Sequence, residues 1–351
     1  MKVLVLYSEM AGYFLACVRH HVAHCGGEFH IVRWPVNPEA PFQFKDSPGI
    51  TYYERRDMDN AALLKLGERV QPDVVYVAGW IDRPYLKIAR HFKRKGVPVV
   101  AAFDAQWHGH FRQRVATWAS PWFIRPCFSH AWVPGLWQYE YARRLGFPRE
   151  NIEIGMYAAD VSPFEAVYEE VQATKAQDYP KKFLFVGRLH EIKGLWELLG
   201  AWKNLRDEGQ TDWELDVYGA GPLRDQLPAL PGLTVRDFVQ PAALPGLTRD
   251  AGVYLLPSRY DPWAVTLHEF TAAGLPVIVS DTTGAATAFL RPGYNGWLHH
   301  ASDQASLQEA LRSAMDTDPA ILFEMGRRSQ ELSRQISPAT WAATLNKIAG
   351  R

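Results

Sequence analysis

One strand–helix–strand stretch in the second half of the sequence constrains the fold most strongly. Val253 to Leu256 is an apolar run of strand length, and Pro276 to Ser280 is another. Between them lie a polar loop and a short helix near Val265 to Ala273, which Gly274 and Pro276 bring to an end. Because strands joined through a helix run parallel, this stretch predicts an open α/β sheet.

The loop before that helix is a candidate ligand site. Ligands of open α/β sheets bind beyond the carboxyl ends of the strands, and a helix N-terminus adds N–H donors and a positive dipole end. Two carboxylates, those of Asp261 and Glu269, flank the turn. Backbone donors for phosphate and carboxylates for hydroxyl groups together suit a sugar nucleotide.

Length and composition limit the class of protein. A chain of 351 residues is about two domains long, and 47% hydrophobic residues suffice for two cores. The net charge of zero gives no indication of nucleic-acid binding. The three cysteines lack metal-ligand spacing and predict free thiols in a reducing compartment. Because the chain starts directly with a predicted strand and has no apolar run of membrane-spanning length, we expect a cytoplasmic protein.

Positive charge is concentrated in one region. From Trp80 to Arg149 the sequence holds twelve Lys and Arg against three Asp and Glu. Two basic stretches there, Arg83 to Lys95 and Phe111 to Arg125, have aromatic residues interleaved. They are either solvated helix faces or a surface for anionic lipid or a lipid-diphosphate acceptor. Most of the thirteen Trp are expected in the core, with sugar platforms or a membrane-facing surface as alternatives. The protein could therefore contact the inner face of the membrane.

The first half alternates strands and helices and therefore predicts a doubly wound parallel sheet. The predicted strands are Lys2 to Tyr7, Phe29 to Trp34, Asp73 to Val77, Val97 to Phe103, His130 to Pro134 and Ile152 to Ile154. The predicted helices are Tyr13 to His24, Asp59 to Val70, Pro84 to Lys95 and Leu136 to Leu145. A proline-rich segment, Pro35 to Pro48, is predicted to be a surface loop. No G-x-G-x-x-G follows the first strand, so the dinucleotide-binding fingerprint is absent.

The second half shows the same alternation after a polar segment, Glu165 to Pro180, that we expect to carry a linker. Further strands are predicted at Lys182 to Val186, Glu214 to Tyr218 and Thr234 to Phe238. An amphipathic helix is predicted to end near Asp207, with later helices within Ser306 to Ser333 and over Ser337 to Ala349.

Two motifs at strand ends of this half have the chemistry of an anion site. Gly187 to Gly194 is not a P-loop, because its Gly and Lys lack the required spacing. Its Arg188 and Lys193, at a strand end before a helix, can hold a diphosphate and stabilise the charge that grows as a diphosphate departs. The alternative is an ordinary surface pair. In Gly219 to Pro222, small residues let the backbone approach a ligand.

Together these motifs resemble the donor site of the retaining glycosyltransferases of family 4, which have the GT-B fold. The family pattern is two glutamates with seven residues between them, with Pro-Phe-Gly after the first and Ala-Gly-Pro-Val soon after the second. Here Asp261-Pro262-Trp263-Ala264 precedes Glu269 and Ala273-Gly274-Leu275-Pro276-Val277. The spacing is kept, while Asp, Trp and Ala replace Glu, Phe and Gly. Gly187 to Gly194 is similar to the family's Gly-Arg-Leu…Lys-Gly motif, and Gly219 to Pro222 to its Gly-x-Gly-Pro.

The resemblance covers nearly all of Lys182 to Leu298, while the first half matches only in pattern. It implies two Rossmann-like doubly wound parallel-sheet domains that face a central cleft. Residues 1–164 would bind the acceptor and residues 165–336 the nucleotide-sugar donor. The final helix, within residues 337–351, would pack back on the first domain.

The resemblance also implies roles for single residues. Glu269 would bind the ribose, Asp261 the transferred sugar, and Arg188 and Lys193 the departing diphosphate. The other donor-side candidates bind through their backbone or approach the donor closely: Gly12, Gly187, Gly219, Gly221, Phe238, Trp263, Ala264, Val265, Thr266 and Leu267. For Gly12, a plain turn glycine is an equal alternative.

One loop of the first half is a candidate for the acceptor side. It follows the strand that ends at Phe103, where many family members carry a His; here that position holds Phe103 or Asp104, and the nearest His is His108. We expect Asp104 and His108 to line the acceptor side. A helix N-cap for Asp104 and a structural role for His108 are the alternatives.

The function implied is transfer, with retention, of a sugar from a nucleoside diphosphate to a hydroxyl group of a glycan or lipid-linked acceptor. UDP-sugar is the first choice and GDP-mannose the second, in bacterial surface polysaccharide synthesis. No cofactor and no metal ion is expected. Because Asp261 is one methylene shorter than Glu, a non-catalytic sugar-nucleotide-binding subunit is an alternative. A sugar-nucleotide epimerase, which shares the GT-B architecture, is another.

Overall fold

The computed structural model describes residues 1–8, 10, 12–35, 46–210 and 212–351. The chain divides into two compact units. The first comprises Met1–Asp160 together with Ile336–Arg351, and the second comprises Val161–Gln335. Most of the predicted loop from Pro35 to Pro48 lies outside the described residues.

The first unit is built on a parallel sheet with the strand order β3-β2-β1-β4-β5-β6-β7. Its strands are β1 Lys2–Tyr7, β2 Glu28–Arg33, β3 Ile50–Glu54, β4 Val74–Ala78, β5 Val99–Ala102, β6 His130–Val133 and β7 Ile152–Ile154. Its helices up to this point are α1 Gly12–Cys25, α2 Asn60–Val70, α3 Arg83–Arg94, α4 Phe111–Phe123 and α5 Leu136–Arg144. The doubly wound parallel sheet predicted for this half is confirmed, and β3 is a strand that the sequence pattern did not predict.

The sequence of this unit explains where its elements start and which surfaces they bury. The central strands are buried on both faces, which is why they read as continuous apolar runs rather than as alternation. Asp59 and Asp82 cap α2 and α3, because their side chains accept hydrogen bonds from the backbone N–H groups of Ala62 and Tyr85. The chain order reverses between β1 and β4, so a crevice is expected beyond their carboxyl ends.

The second unit has a parallel sheet with the order β10-β9-β8-β11-β12-β13. Its strands are β8 Lys182–Val186, β9 Glu214–Tyr218, β10 Leu233–Arg236, β11 Val253–Leu256, β12 Val277–Ser280 and β13 Gly296–His299. Its helices are α6 Ser162–Gln177, α7 Leu195–Asp207, α8 Leu244–Leu247, α9 Val265–Ala272, α10 Ala286–Phe289, α11 Gln304–Met315 and α12 Pro319–Ser333. Here the order reverses between β8 and β11, the two strands that precede the candidate loops.

The prediction of a linker within Glu165 to Pro180 is wrong, because most of this segment is helix α6. A buried lysine anchors the helix to the second unit. The Nζ atom of Lys175 donates to the backbone carbonyls of Thr248 and Ala251, both at 2.7 Å. Burial lowers the pKa of Lys175 to about 8. The polar composition of the segment therefore reflects a helix with one exposed face.

The last helix, α13 (Pro338–Ile348), belongs to the first unit. It starts with a capping box between Ser337 and Thr340. Its Trp341 is buried and stacks on Trp132 with ring centroids 5.0 Å apart. The chain thus leaves the first unit after Asp160 and returns to it at Ile336.

Candidate functional site

In the second unit the candidate loops pack against one another at one edge of the sheet. They follow β8, β9 and β11, which are neighbours in the strand order. A Cβ atom placed on Gly219 would lie 1.9 Å from the carbonyl oxygen of Gly187, and one on Gly194 would lie 2.0 Å from that of Pro257. Only glycine allows such approaches. These glycines therefore bring the three motifs into backbone contact.

Backbone hydrogen bonds fix the same contacts. The N–H of Leu189 donates to the carbonyl of Ala220 at 2.8 Å, and the N–H of Arg259 donates to that of Ile192 at 2.8 Å. Gly221 has a φ of +154° and passes so close to Leu189 that a Cβ atom would lie 2.4 Å from its carbonyl oxygen. The loops after β8, β9 and β11 consequently form one rigid structure.

An ion pair joins two of these loops. The Nζ atom of Lys193 lies 2.6 Å from Oδ2 of Asp261, and their side chains are 16% and 10% exposed. Oδ1 of Asp261 also accepts a hydrogen bond from the backbone N–H of Trp263 at 3.2 Å. Partial burial strengthens the attraction between such charges. The pair places a cation suited to phosphate beside a carboxylate suited to hydroxyl groups.

The loop that carries Asp261 is tied to the loop after β12. The N–H of Gly284 donates to the carbonyl of Asp261 at 3.0 Å, and the N–H of Ala285 donates to that of Trp263 at 2.9 Å. The hydroxyl group of Thr282 donates to the carbonyls of Ser258 and Arg259 at 3.1 and 3.0 Å. The carboxylate therefore sits on a loop that is anchored on both sides.

Helix α9 begins directly after this loop. Ala264, at its N-cap, has a φ of 66° and a ψ of 83°, which is the left-handed region. The turn directs the N-terminus of α9, with Val265 and Thr266 in its first turn, towards the carboxyl edge of the sheet. Thr266 accepts a hydrogen bond from the hydroxyl of Tyr254 at 2.9 Å. Glu269 is half-buried one turn further along α9.

Two other predicted donor-side residues have exposed side chains. Arg188 follows β8 by two residues and is exposed. Phe238 is 60% exposed and lies two residues beyond the end of β10. Both follow the carboxyl ends of strands in the same sheet.

The first unit has its own cavity of about 570 Å³ at the carboxyl ends of β1, β4 and β5. Most of its lining is aromatic or small. The lining residues are Tyr7, Ser8, Tyr13, Trp34, Tyr76, Ala78, Gly79, Trp80, Ile81, Ala102, Phe103, Asp104, Ala105, Met156 and Tyr157. This is the crevice expected where the chain order reverses between β1 and β4.

A carboxylate and two phenols form a polar cluster in this cavity. The hydroxyl of Tyr157 donates to Oδ2 of Asp104 at 3.2 Å. The ring of Tyr13 meets the ring of Tyr157 edge-on, with centroids 4.9 Å apart. Burial raises the pKa of both tyrosines, and the charge of Asp104 raises each further. Both phenols therefore stay protonated and can donate hydrogen bonds.

Tyr13 and Tyr157 were not predicted as site residues, because they belong to no motif and are far apart in the sequence. Of the residues predicted in this unit, one lies in the cavity and two are exposed. Asp104 lines the cavity. His108 is exposed on the loop beyond it, where its backbone N–H donates to Oε1 of Gln113 at 2.8 Å. Gly12 is exposed and is the first residue of α1.

Within the described residues there is no cluster of three or more His, Cys, Asp or Glu that could hold a metal ion. In the same part of the chain, none of the helices combines the length and the hydropathy needed to cross a membrane.

Comparison with known proteins finds a family match within the second unit. Residues 180–317 match the family model described as "Glycosyl transferases group 1". The match contains all three motifs at the sheet edge. A glycogen synthase of Mycobacterium tuberculosis is 26% identical over 296 residues, which are 80% of this chain and 68% of that protein. A putative colanic acid biosynthesis glycosyltransferase of Escherichia coli, WcaL, is 27% identical over 202 residues, or 54% of this chain and 48% of the relative.

Solved structures extend the similarity to both units. The crystal structure of Anabaena HepE in complex with UDP superposes with a TM-score of 0.74 at 13% identity and covers 99% of both chains. This is the GT-B fold. The predicted fold of two Rossmann-like α/β units is therefore confirmed, and the relatives support a glycosyltransferase.

Proposed function

We propose that this GT-B protein is a retaining glycosyltransferase of family 4, which moves a sugar from a nucleoside diphosphate to an acceptor hydroxyl group. The ion pair of Lys193 and Asp261 carries this proposal. Nζ of Lys193, the group for the diphosphate, lies 2.6 Å from Oδ2 of Asp261, the group for the sugar. Backbone contacts hold both loops in place.

The leaving diphosphate is stabilised by Lys193 and Arg188. As the bond to the sugar breaks, negative charge grows on the diphosphate, so fixed cations favour the transition state over the bound donor. When the donor binds, its phosphate oxygens compete with Asp261 for Lys193. Asp261 is then available to accept hydrogen bonds from hydroxyl groups of the transferred sugar.

The remaining donor contacts come from backbone groups and one carboxylate. Of the predicted backbone donors from Trp263 to Leu267, the N–H groups of Ala264, Val265 and Thr266 face the sugar and the diphosphate. Those of Trp263 and Leu267 donate within the turn, to Asp261 and Ala264. Glu269 binds the ribose hydroxyls, and the backbone near Phe238 reads the base. The glycines of the first two motifs, Gly187, Gly219 and Gly221, allow close approach of the donor. Since Arg188 and Lys193 supply positive charge, no metal ion is required.

The acceptor binds in the cavity of the first unit. Its aromatic walls provide faces for sugar rings, and Asp104 can accept hydrogen bonds from the acceptor hydroxyl groups. The protonated phenols of Tyr13 and Tyr157 supply donors beside it. His108 contributes only if its exposed loop closes on the acceptor.

We propose UDP-sugar as the donor, because the HepE structure contains UDP, with GDP-mannose as the second choice. The name of WcaL supports a glycan acceptor, free or lipid-linked, in bacterial surface polysaccharide synthesis.

The first test is a thermal-shift panel with UDP, GDP, dTDP, ADP and their sugar conjugates, with and without EDTA. At a concentration of 100 Kd, a ligand stabilises the native state by about 2.7 kcal/mol, which raises Tm by roughly 5–10 °C for a unit of this size. We expect one nucleotide class to give this shift and EDTA to leave it unchanged.

Matched variants connect the shift to the site. Lys193→Met should weaken nucleotide binding at least tenfold, whereas Lys203→Met, at an exposed lysine of α7, should not change it. Mass spectrometry and NMR of products made by the unmodified protein should then show transfer with a retained anomeric configuration. Binding without turnover on any donor and acceptor would contradict the enzyme and support a nucleotide-binding subunit.

A further inference from the structure

Helix α4 of the first unit presents an exposed apolar stripe. Phe111, Val115, Trp118 and Trp122 recur at helical spacing, so they share one face, and they are between 43% and 80% exposed. Phe123, at the end of the helix, is exposed as well. Large side chains contiguous along one helix face mark an interaction surface rather than ordinary scattered exposure.

A basic stripe lies on the neighbouring helix, α3. Arg83, Lys87, Arg90 and Arg94 recur at the same helical spacing, and the opposite side of α3 is buried through Tyr85, Ile88, Ala89 and Phe92. The sequence has no Asp or Glu within α3 or α4, while α4 adds Arg112 and Arg114.

One contact joins these helices, and a second joins α3 to the segment that follows α4. Nη2 of Arg90 donates to the carbonyl of Trp122 at 3.3 Å, and Nζ of Lys93 donates to the carbonyl of Phe128 at 2.7 Å. The basic stripe therefore adjoins the C-terminal end of the apolar stripe. The two stripes form one surface, which we call the α3–α4 face.

We propose that the α3–α4 face docks on a bilayer that contains anionic lipid. Tryptophan and phenylalanine suit the boundary between head groups and acyl chains, and basic residues near an anionic surface add electrostatic attraction. With 13 residues, α4 is about 20 Å long, too short to span a bilayer. It therefore lies in the plane of the membrane. The basic stripe indicates anionic lipid, because contact with acyl chains alone would not require positive charge.

Both helices of the α3–α4 face begin at the carboxyl edge of the sheet, where the cavity lies. Ile81 follows β4, lines the cavity and is 84% exposed, while Leu136 follows β6 and is also exposed. Helix α4 begins after the loop of Asp104, which follows β5. A bilayer on this face would bring a lipid-linked acceptor close to the cavity. This last step rests on the proposed function, whereas docking itself does not.

The test is vesicle flotation of the full chain with phosphatidylcholine alone and with 30% phosphatidylglycerol. We expect binding to the anionic vesicles and at least tenfold less to the neutral ones. Trp118→Gln with Trp122→Gln should weaken binding at least tenfold at every salt concentration. Arg83→Glu with Lys87→Glu should weaken it as strongly at low salt and less at high salt, because salt screens only the charges.

Control variants keep the test specific. Ile321→Gln changes an exposed apolar residue of α12, and Lys203→Glu with Arg334→Glu reverses two exposed charges of the second unit; neither should alter binding. Circular dichroism should show all variants folded. The proposal is overturned if the unmodified protein does not float with anionic vesicles, or if the two Trp substitutions leave flotation unchanged. It is also overturned if they abolish only self-association in light scattering, which would assign the face to a second copy. Nucleotide thermal shifts report separately on the donor site.

Discussion

Ala264 has a backbone conformation that residues other than glycine rarely adopt. Its φ of 66° turns the chain from the Asp261 loop into α9, and its carbonyl accepts the N–H of Leu267 at 3.1 Å. The donor-site pattern that this stretch resembles has glycine at this position. The left-handed conformation costs an L-residue roughly 1–2 kcal/mol. The chain therefore keeps strain at the candidate site, where anchoring through Trp263 and Gly284 maintains the turn.

Replacing this alanine should stabilise the protein. In Ala264→Gly, relief of strain outweighs the added entropy of the unfolded chain, which is about 0.4–1 kcal/mol. We expect a gain of about 0.5–1 kcal/mol in the free energy of unfolding, measured by urea denaturation. Ala343→Gly, at an exposed position inside α13, is the matched control and should lose about 1 kcal/mol. Equal losses in both variants would show that Ala264 is not strained.

At the same scale, the sequence indicates some site residues and not others. Lys193 and Asp261 are predictable because each lies in a short motif at a strand end. Tyr13 and Tyr157 are not, because their pairing depends on how distant segments fold together. His108 shows the opposite limit. Its position in the sequence, near Asp104, does not bring its side chain into the cavity, because the loop continues outward towards α4.

Among the elements, the loop glycines determine how the strand ends meet. Gly219→Ala should push the loop after β9 away from Gly187, because backbone atoms on a sheet edge cannot yield to a contact of 1.9 Å. We expect a loss of at least about 1–3 kcal/mol in stability and weaker nucleotide binding by thermal shift. Gly246→Ala, on α8 where a Cβ atom meets nothing within 4 Å, should leave nucleotide binding unchanged and should not lower stability. Normal nucleotide binding by Gly219→Ala would remove this loop from the donor site.

The elements themselves were largely predictable where a buried strand or an amphipathic helix leaves a regular pattern. Strands β7, β8, β9 and β11 have the predicted bounds. The sequence does not predict strand β3, because most of its residues are half-buried. The strand therefore has neither an apolar run nor a clear alternation of apolar and polar residues. The polar composition of Glu165 to Pro180 predicts a linker, although most of this segment is helix α6. The side chain that anchors this helix belongs to the buried Lys175, although lysine is a residue type expected to be exposed to solvent.

At the scale of the whole molecule, the last segment of the chain completes the first unit. Each unit has its own hydrophobic core. Besides Trp132, the buried Trp341 of α13 packs against Phe14 and Tyr76, with ring centroids 5.8 and 6.5 Å away. The first unit is therefore incomplete until the chain has passed through the second and returned.

This order predicts which unit each buried tryptophan stabilises. Trp341→Ala leaves a cavity beside α1, β4 and β6 and should cost about 3–5 kcal/mol. Hydrogen exchange with mass spectrometry should show faster exchange in β1, β4 and α1, with β8 and β9 unchanged. Trp202→Ala, an equally buried residue of α7, should produce the reverse pattern. A loss of protection in both units from either substitution would mean that the two unfold as one cooperative structure. If Trp341→Ala reduces protection only in the first unit, the stability of that unit depends on the sixteen residues at the end of the chain, Ile336–Arg351.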